Sequence, residues 1–179
     1  MQLSTQRLVL RPWDVSDAQA LYDIAGDPEV GRIGGWKPHA SVEESSKIIS
    51  SSYSDPNTLA IISRSSNTPI GCIRLNTEPE LIRKGPKDAE VSYWIGRRYW
   101  NNGYTTEAVE EIIRYAFEDL KLSKIWCQCA EDNVGSLHVQ SKCGFRIDHR
   151  AVSYNEYMGE VTVVVSVLSR KDWLKTRRT

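Results

Sequence analysis

The residues from Trp100 to Thr106, Trp-Asn-Asn-Gly-Tyr-Thr-Thr, stand where an apolar run ending at Ile95 gives way to a strongly periodic helix. A short loop of this composition at a helix start is suited to binding an anion. The first N–H groups of a helix have no partner inside it, the helix dipole adds positive potential, and residues tolerant of unusual φ can wrap a pyrophosphate. The hydroxyls of Thr105 and Thr106 are further donors. The pattern predicts a nucleotide-like cofactor held by Asn101, Asn102, Gly103, Tyr104, Thr105 and Thr106. It is not a generic nucleotide-phosphate enzyme: the chain has no G-x-x-x-x-G-K-[ST], and no G-x-G-x-x-G follows an early strand.

Other chemistry is scarce. Cys127 and Cys129 form a C-x-C on one side of an apparent strand, without the distal pair a zinc site needs, and with Cys72 and Cys143 they read as buried reduced thiols. A nucleophile built from Cys143 and His149 has no supporting motif. The histidines lack ligand spacing, so no metal is expected.

The elements that must position the loop follow from periodicity. Leu8 to Trp13 reads as a first strand, and Ser16 or Asp17 as the cap of a short helix that runs through Ala25 and is closed off by Pro28. Gly31 to His39 reads as a loop. Ser41 and Glu44 resemble a capping box for a second helix, marked by Val42, Ile48, Ile49 and Tyr53. Thr58 to Arg64 and Pro69 to Leu75 are β-rich runs joined by Ser65-Ser66-Asn67-Thr68, an antiparallel hairpin. A polar loop, Glu78 to Asp88, leads to the strand Ala89 to Ile95. The helix after the cofactor loop is the clearest element, with Ala108, Val109, Ile112, Ile113, Ala116, Phe117 and Leu120 on one face. Lys124 to Ala130 is strand-like, Asn133 to Lys142 helical and stopped by Gly144, and Phe145 to Ile147 and Val161 to Leu168 are strands. Arg170 to Arg178 reads as a solvated tail. The order predicts a single mixed α/β domain over residues 1–179, with one sheet and helices on its faces.

Composition sets limits. At 179 residues the chain can bury roughly 70% of its unfolded surface in one core. Lys plus Arg and Asp plus Glu are 23 each, so no overall field draws it to nucleic acid or an anionic membrane. No run approaches a membrane span and the N-terminus has no apolar leader, which predicts a cytoplasmic chain.

Taken in order, several segments resemble the GNAT superfamily of acyl-CoA-dependent N-acyltransferases, in the branch typified by the ribosomal-protein N-terminal acetyltransferases. They are Thr5-Gln6-Arg7-Leu8-Val9-Leu10-Arg11-Pro12-Trp13, Gly35-Trp36-Lys37-Pro38-His39, Ala89 to Gly96, Gly103 to Ala108, and Asn133-x-x-Ser136 ahead of Lys142-Cys143-Gly144-Phe145. The family loop has the form Gln/Arg-Gly-x-Gly-x-Gly/Ala; here only Gly103 matches, and Asn101 replaces a glycine. Asparagine enters positive φ more readily than other residues with a Cβ, so the turn is expected to survive at modest strain.

The resemblance implies a mostly antiparallel, splayed sheet of six to seven strands with about four helices. The cofactor is acetyl-CoA, whose pantetheine arm inserts between the fourth and fifth strands and bonds to backbone near Trp94, Ile95 and Gly96. It further implies Glu90 as the base that deprotonates an amine, Ser136 as the hydroxyl near the cofactor sulfur, and Asn133 as the polar residue holding the pantetheine arm. Asn133 also reads as a helix N-cap. Many relatives carry a tyrosine acid where this chain has Gln140, so that acid is absent. Trp36, His39 and Tyr53 would line the acceptor pocket. The implied activity is acetyl transfer to a primary amine on a small molecule or a peptide N-terminus, by direct attack in a ternary complex. A catalytically weak acyl-CoA sensor or partner-binding module on the same fold is the alternative. A homodimer is permitted by an exposed strand edge.

Overall fold

A computed structural model of the protein describes residues 1–77 and 85–177. Most of the expected Glu78 to Asp88 loop lies outside the described residues. One sheet runs through the molecule. In chain order its strands are β1 (Leu3–Ser4), β2 (Leu8–Pro12), β3 (Thr58–Ser63), β4 (Thr68–Asn76), β5 (Asp88–Ile95), β6 (Lys124–Ala130), β7 (Arg146–Asn155) and β8 (Gly159–Ser169). Their spatial order is β1-β2-β3-β4-β5-β6-β8-β7, and every neighbouring pair is antiparallel except β5 with β6. The helices are α1 (Ala18–Ala25), α2 (Pro28–Gly34), α3 (Val42–Ser50), α4 (Tyr104–Arg114), α5 (Val134–Lys142) and α6 (Arg170–Thr176).

This is the expected mixed α/β sheet, with eight strands among the described residues where six to seven are implied and six α-helices where about four are. Each extra element has a local cause. Leu3 and Ser4 pair with Leu10 and Val9, adding a short edge strand. Pro28 does not close α1; it opens α2. Asp27 accepts a hydrogen bond from the Glu29 N–H at 2.9 Å, and proline in the first turn lacks only an N–H that would have no helical partner there. α2 stops at Gly35, whose φ of 81° is left-handed. The expected solvated tail is instead α6, capped by Ser169 on the Asp172 N–H. It buries Trp173, whose ring centroid lies 5.4 Å from that of Phe117.

Two apolar layers hold the sheet. On one face Ala89, Val91 and Ile95 of β5 pack with Ala108, Val109, Ile112 and Ile113 of α4. Fully buried aliphatic side chains such as Ile112 are worth roughly 1.5–3 kcal/mol each in transfer free energy. On the other face Ala60, Ile62 and Cys72 pack with Leu21 and Ile49 of α1 and α3. Strand alternation therefore turns Glu90, Ser92 and Trp94 away from α4.

The feature that matters for function lies between β5 and β6. They pair only from Asp88 to Glu90 against Lys124 to Trp126. Beyond that, β5 stays with β4 as far as Ile95 while β6 stays with β8 as far as Ala130. The sheet splits into a V at its centre.

Candidate active site in the strand split

The split opens into a cavity of about 500 Å³. Ser92, Tyr93 and Trp94 form one wall, Cys127 to Ala130 the other, and Asn133 and Ser136 of α5 border it. Glu90 lines it where β5 still pairs with β6 and is only 9% exposed. Trp36, Tyr53 and Met158 line the side away from α5.

The loop that follows β5 has a consistent polarity. A short 3-10 turn at Arg97–Tyr99 leads to Asn101 at φ 59° and Gly103 at φ 76°, so the chain enters the left-handed region at both positions of an Asn-x-Gly. Asparagine supplies the conformation that glycine would give more cheaply. Two carbonyls around the loop are taken up by its own side chains: Ile95 O accepts from the Trp100 indole N–H at 2.9 Å and Trp100 O from Asn102 Nδ2 at 2.8 Å. Trp100 is thus a staple that fastens the loop to the end of β5. The first intrahelical bond runs from Glu107 N to Gly103 O, and the N–H groups from Asn101 to Thr106 have no acceptor among the described residues. A row of outward N–H groups at the start of α4 is an anion cradle. Gly96 differs: its N–H already donates to Ile70 O at 2.9 Å.

Ser136 sits in a polar knot that motif reading missed. The Tyr93 hydroxyl lies 3.0 Å from Ser136 Oγ, and Gln140 Nε2 lies 3.2 Å from the same oxygen and 3.3 Å from Cys129 Sγ. Gln140 is therefore no empty replacement for a tyrosine; it is 2% exposed and braces Ser136 from one turn below. Burial pushes the Tyr93 hydroxyl far above its ordinary pKa. Asn133 accepts from the Ser136 N–H at 3.0 Å through Oδ1, so it caps α5 and keeps its amide Nδ2 for another partner. No local signal marks Tyr93: the opening of the V lets a residue on the α4 face of β5 reach across to α5.

The side of the cavity expected to take an acceptor is assembled from distant segments. Trp36 and Trp94 meet at 5.1 Å between ring centroids, tilted by 59°. Gly34 makes this possible, since a Cβ there would stand 1.8 Å from the Trp36 ring. Asn155, at the end of β7, donates to Gly35 O at 2.8 Å and ties the β7–β8 hairpin to this corner. Tyr53 packs against Trp13 at 5.4 Å, and burial raises its hydroxyl pKa. His39 is placed elsewhere: it is 8% exposed, does not line the cavity, and its Nδ1 lies 2.8 Å from Ser45 Oγ. Burial lowers its pKa, opposed by nearby Glu44. The cysteines show no activated thiol, burial pushing Cys72 and Cys143 up to about 12 and Cys127 higher still.

Residues 7–146 match the model of the acetyltransferase (GNAT) domain. The chain belongs to the GNAT family of acetyltransferases. Members of this GNAT family transfer acetyl groups from acetyl-CoA. The chain is 28% identical over 176 residues to an uncharacterized N-acetyltransferase, p20, of Bacillus licheniformis, covering 94% of this chain and 97% of that one. A structure of a putative ribosomal-protein-serine acetyltransferase from Vibrio cholerae superposes with a TM-score of 0.77 at 26% identity, covering 94% of this chain and 97% of that one. The fold is also that of a Vibrio cholerae spermidine N-acetyltransferase solved with CoA and spermine, with TM-score 0.74, 18% identity and coverage of 95% and 99%. Among the described residues no helix is long and apolar enough to cross a membrane.

Proposed function

We propose that this GNAT acetyltransferase moves the acetyl group of acetyl-CoA to a primary amine, on a small molecule or a peptide N-terminus, by direct attack in a ternary complex. The observation that carries the reading is the row of unsatisfied N–H groups from Asn101 to Thr106, beside a split sheet whose cavity holds Glu90 and Ser136. Acetyl-CoA supplies the activated acyl group as a thioester. The cradle from Asn101 to Thr106 would hold its pyrophosphate, and the free amide of Asn133, with backbone of Trp94 and Ile95, its pantetheine arm.

The chain then has three tasks. An amine with pKa ~8 to 10 is mostly protonated at neutral pH, so a base must take its proton; this reading gives that role, directly or through water, to Glu90, which lines the cavity. Backbone N–H groups of β5 stabilise the charge that develops on the acyl oxygen as nitrogen attacks and the C–S bond breaks. The departing thiolate, of pKa ~8.5, is stable enough to leave as the anion and takes its proton from Ser136 or from solvent, with Ser136 held in place by the Tyr93 hydroxyl at 3.0 Å. Trp36, Trp94 and Tyr53 give the acceptor pocket an aromatic wall, suited to the apolar part of an amine.

The experiment is calorimetric titration with CoA followed by thiol release from acetyl-CoA against a panel of amines and N-terminal peptides. Micromolar binding and turnover are expected. Glu90→Gln should lower kcat by about 100-fold while CoA affinity stays unchanged. Binding without turnover on any amine would favour the sensor reading instead.

A further inference from the structure

Arg7, in the turn between β1 and β2, reaches the cofactor loop although the transfer chemistry does not call on it. Its Nε lies 2.6 Å from Glu107 Oε2 in the first turn of α4, and its Nη1 donates to the Asn102 carbonyl at 3.0 Å. The guanidinium stacks 4.5 Å from the Tyr104 ring centroid. Glu107 is fixed from the other side, its Oε1 accepting from Arg7 N at 2.8 Å and from Thr5 Oγ1 at 2.5 Å. Burial would raise the Glu107 carboxyl, but the bonds from Thr5 and Arg7 outweigh it and hold the group below its ordinary pKa. One side chain therefore joins the N-terminal turn, the helix start and the loop.

The consequence follows from peptide geometry. A trans peptide is planar, and its C=O and N–H point in opposite directions. Holding the Asn102 carbonyl points the Gly103 N–H away from Arg7, and Asn102 Nδ2 on Trp100 O fixes the Asn101 N–H in the same way. Glycine at Gly103 has no Cβ to resist rotation of that plane, and Asn101 beside it already carries the strain of a left-handed φ of 59°. We infer that Arg7 is a positioning residue for the anion cradle: with Glu107 behind it, it locks the Asn102–Gly103 peptide so that the Gly103 N–H faces the cofactor pyrophosphate.

The inference rests on the reading of the loop as the acetyl-CoA site, and the test separates the two. Steady-state kinetics are measured with acetyl-CoA and with S-acetylpantetheine, which has the same thioester and pantetheine arm but no pyrophosphate. Arg7→Lys keeps the charge but cannot pair with Glu107, reach Asn102 O and stack on Tyr104 at once. It should raise KM and Kd for acetyl-CoA about tenfold, leaving kcat, the amine KM and kcat/KM for S-acetylpantetheine within about twofold. Glu107→Gln should move the same constants in the same direction by less. An equal loss with both donors would mean that Arg7 holds the fold and not the cradle; an unchanged KM for acetyl-CoA would overturn the inference as well. A parent protein that binds no CoA by calorimetry overturns the loop reading itself, and this inference with it.

Discussion

The two sides of the cleft are built from different materials. The proposed pyrophosphate end is main chain: free N–H groups from Asn101 to Thr106, carbonyls tied back onto Trp100, Asn102 and Arg7, and a helix start behind them. The proposed acceptor side is side chain, with Trp36 after α2, Tyr53 after α3, Trp94 on β5 and Met158 at the β7–β8 hairpin lining the cavity. A backbone site asks of its sequence only that certain φ values be reachable and certain carbonyls be tied back. It can therefore drift from Gly to Asn at position 101 and use Trp at 100 without losing its form. A pocket gathered from four segments changes its shape whenever any one of those side chains changes.

The sharpest way to break that comparison is to make the backbone side depend on a side chain. Asn101→Val puts a β-branched residue at φ 59°, a conformation that costs such residues of order 1–3 kcal/mol. KM for acetyl-CoA should rise by roughly 10- to 100-fold with the amine KM unchanged, while Asn101→Gly should bind at least as well as the parent. A loss in Asn101→Gly equal to that in Asn101→Val would mean that the Asn side chain contacts cofactor and that the donor side is not built from backbone alone.

The acceptor side should show the mirror image. Trp36→Ala removes the ring that packs on Trp94 at 5.1 Å and that Gly34 makes room for. An apolar contact of that size is worth about 1–3 kcal/mol in a pocket, so the amine KM should rise about tenfold or more while KM for acetyl-CoA holds. Because the Trp36 indole N–H has no acceptor among the described residues, Trp36→Phe should recover most of the loss. A change in the acetyl-CoA constant instead would show that the two sides are coupled through Trp94.

What the sequence makes legible follows the same division. The Lys124 to Ala130 strand, the α4 face and the Asn133 cap are readable because each depends on residues within one or two turns of each other. The left-handed turn at Asn101 is legible for the same reason, since asparagine and glycine announce it locally. α2 is misread because Pro28 looks like a terminator until Asp27 is seen capping the next helix. The Tyr93–Ser136–Gln140 knot and the Arg7–Glu107–Asn102 tie are not legible, because they join residues far apart in sequence across a split that only the sheet topology creates. Trp36, His39 and Tyr53 were all assignable to the acceptor side by resemblance, yet only the cavity separates the two that line it from His39.

His39 supplies the smallest test, and it asks where the acceptor side ends. Packed against Ser45 and shielded from solvent, it has a pKa lowered in the folded state by desolvation. Below the unfolded value of about 6.5 the unfolded chain takes up a proton that the folded chain refuses, so stability falls as pH drops from there toward the folded pKa. Above about 6.5 both states are neutral and the group contributes no pH dependence. His39→Gln, which can keep a bond to Ser45 without titrating, should flatten that part of the stability curve. Between pH 7.5 and 5.5 the parent should lose more in Tm than the variant, and the two curves should run parallel above about pH 6.5. At pH 7.5 the amine KM of His39→Gln should match the parent. A raised amine KM with an unaltered pH–Tm curve would return His39 to the acceptor pocket and extend the side-chain-built half of the cleft past α2 to the start of α3.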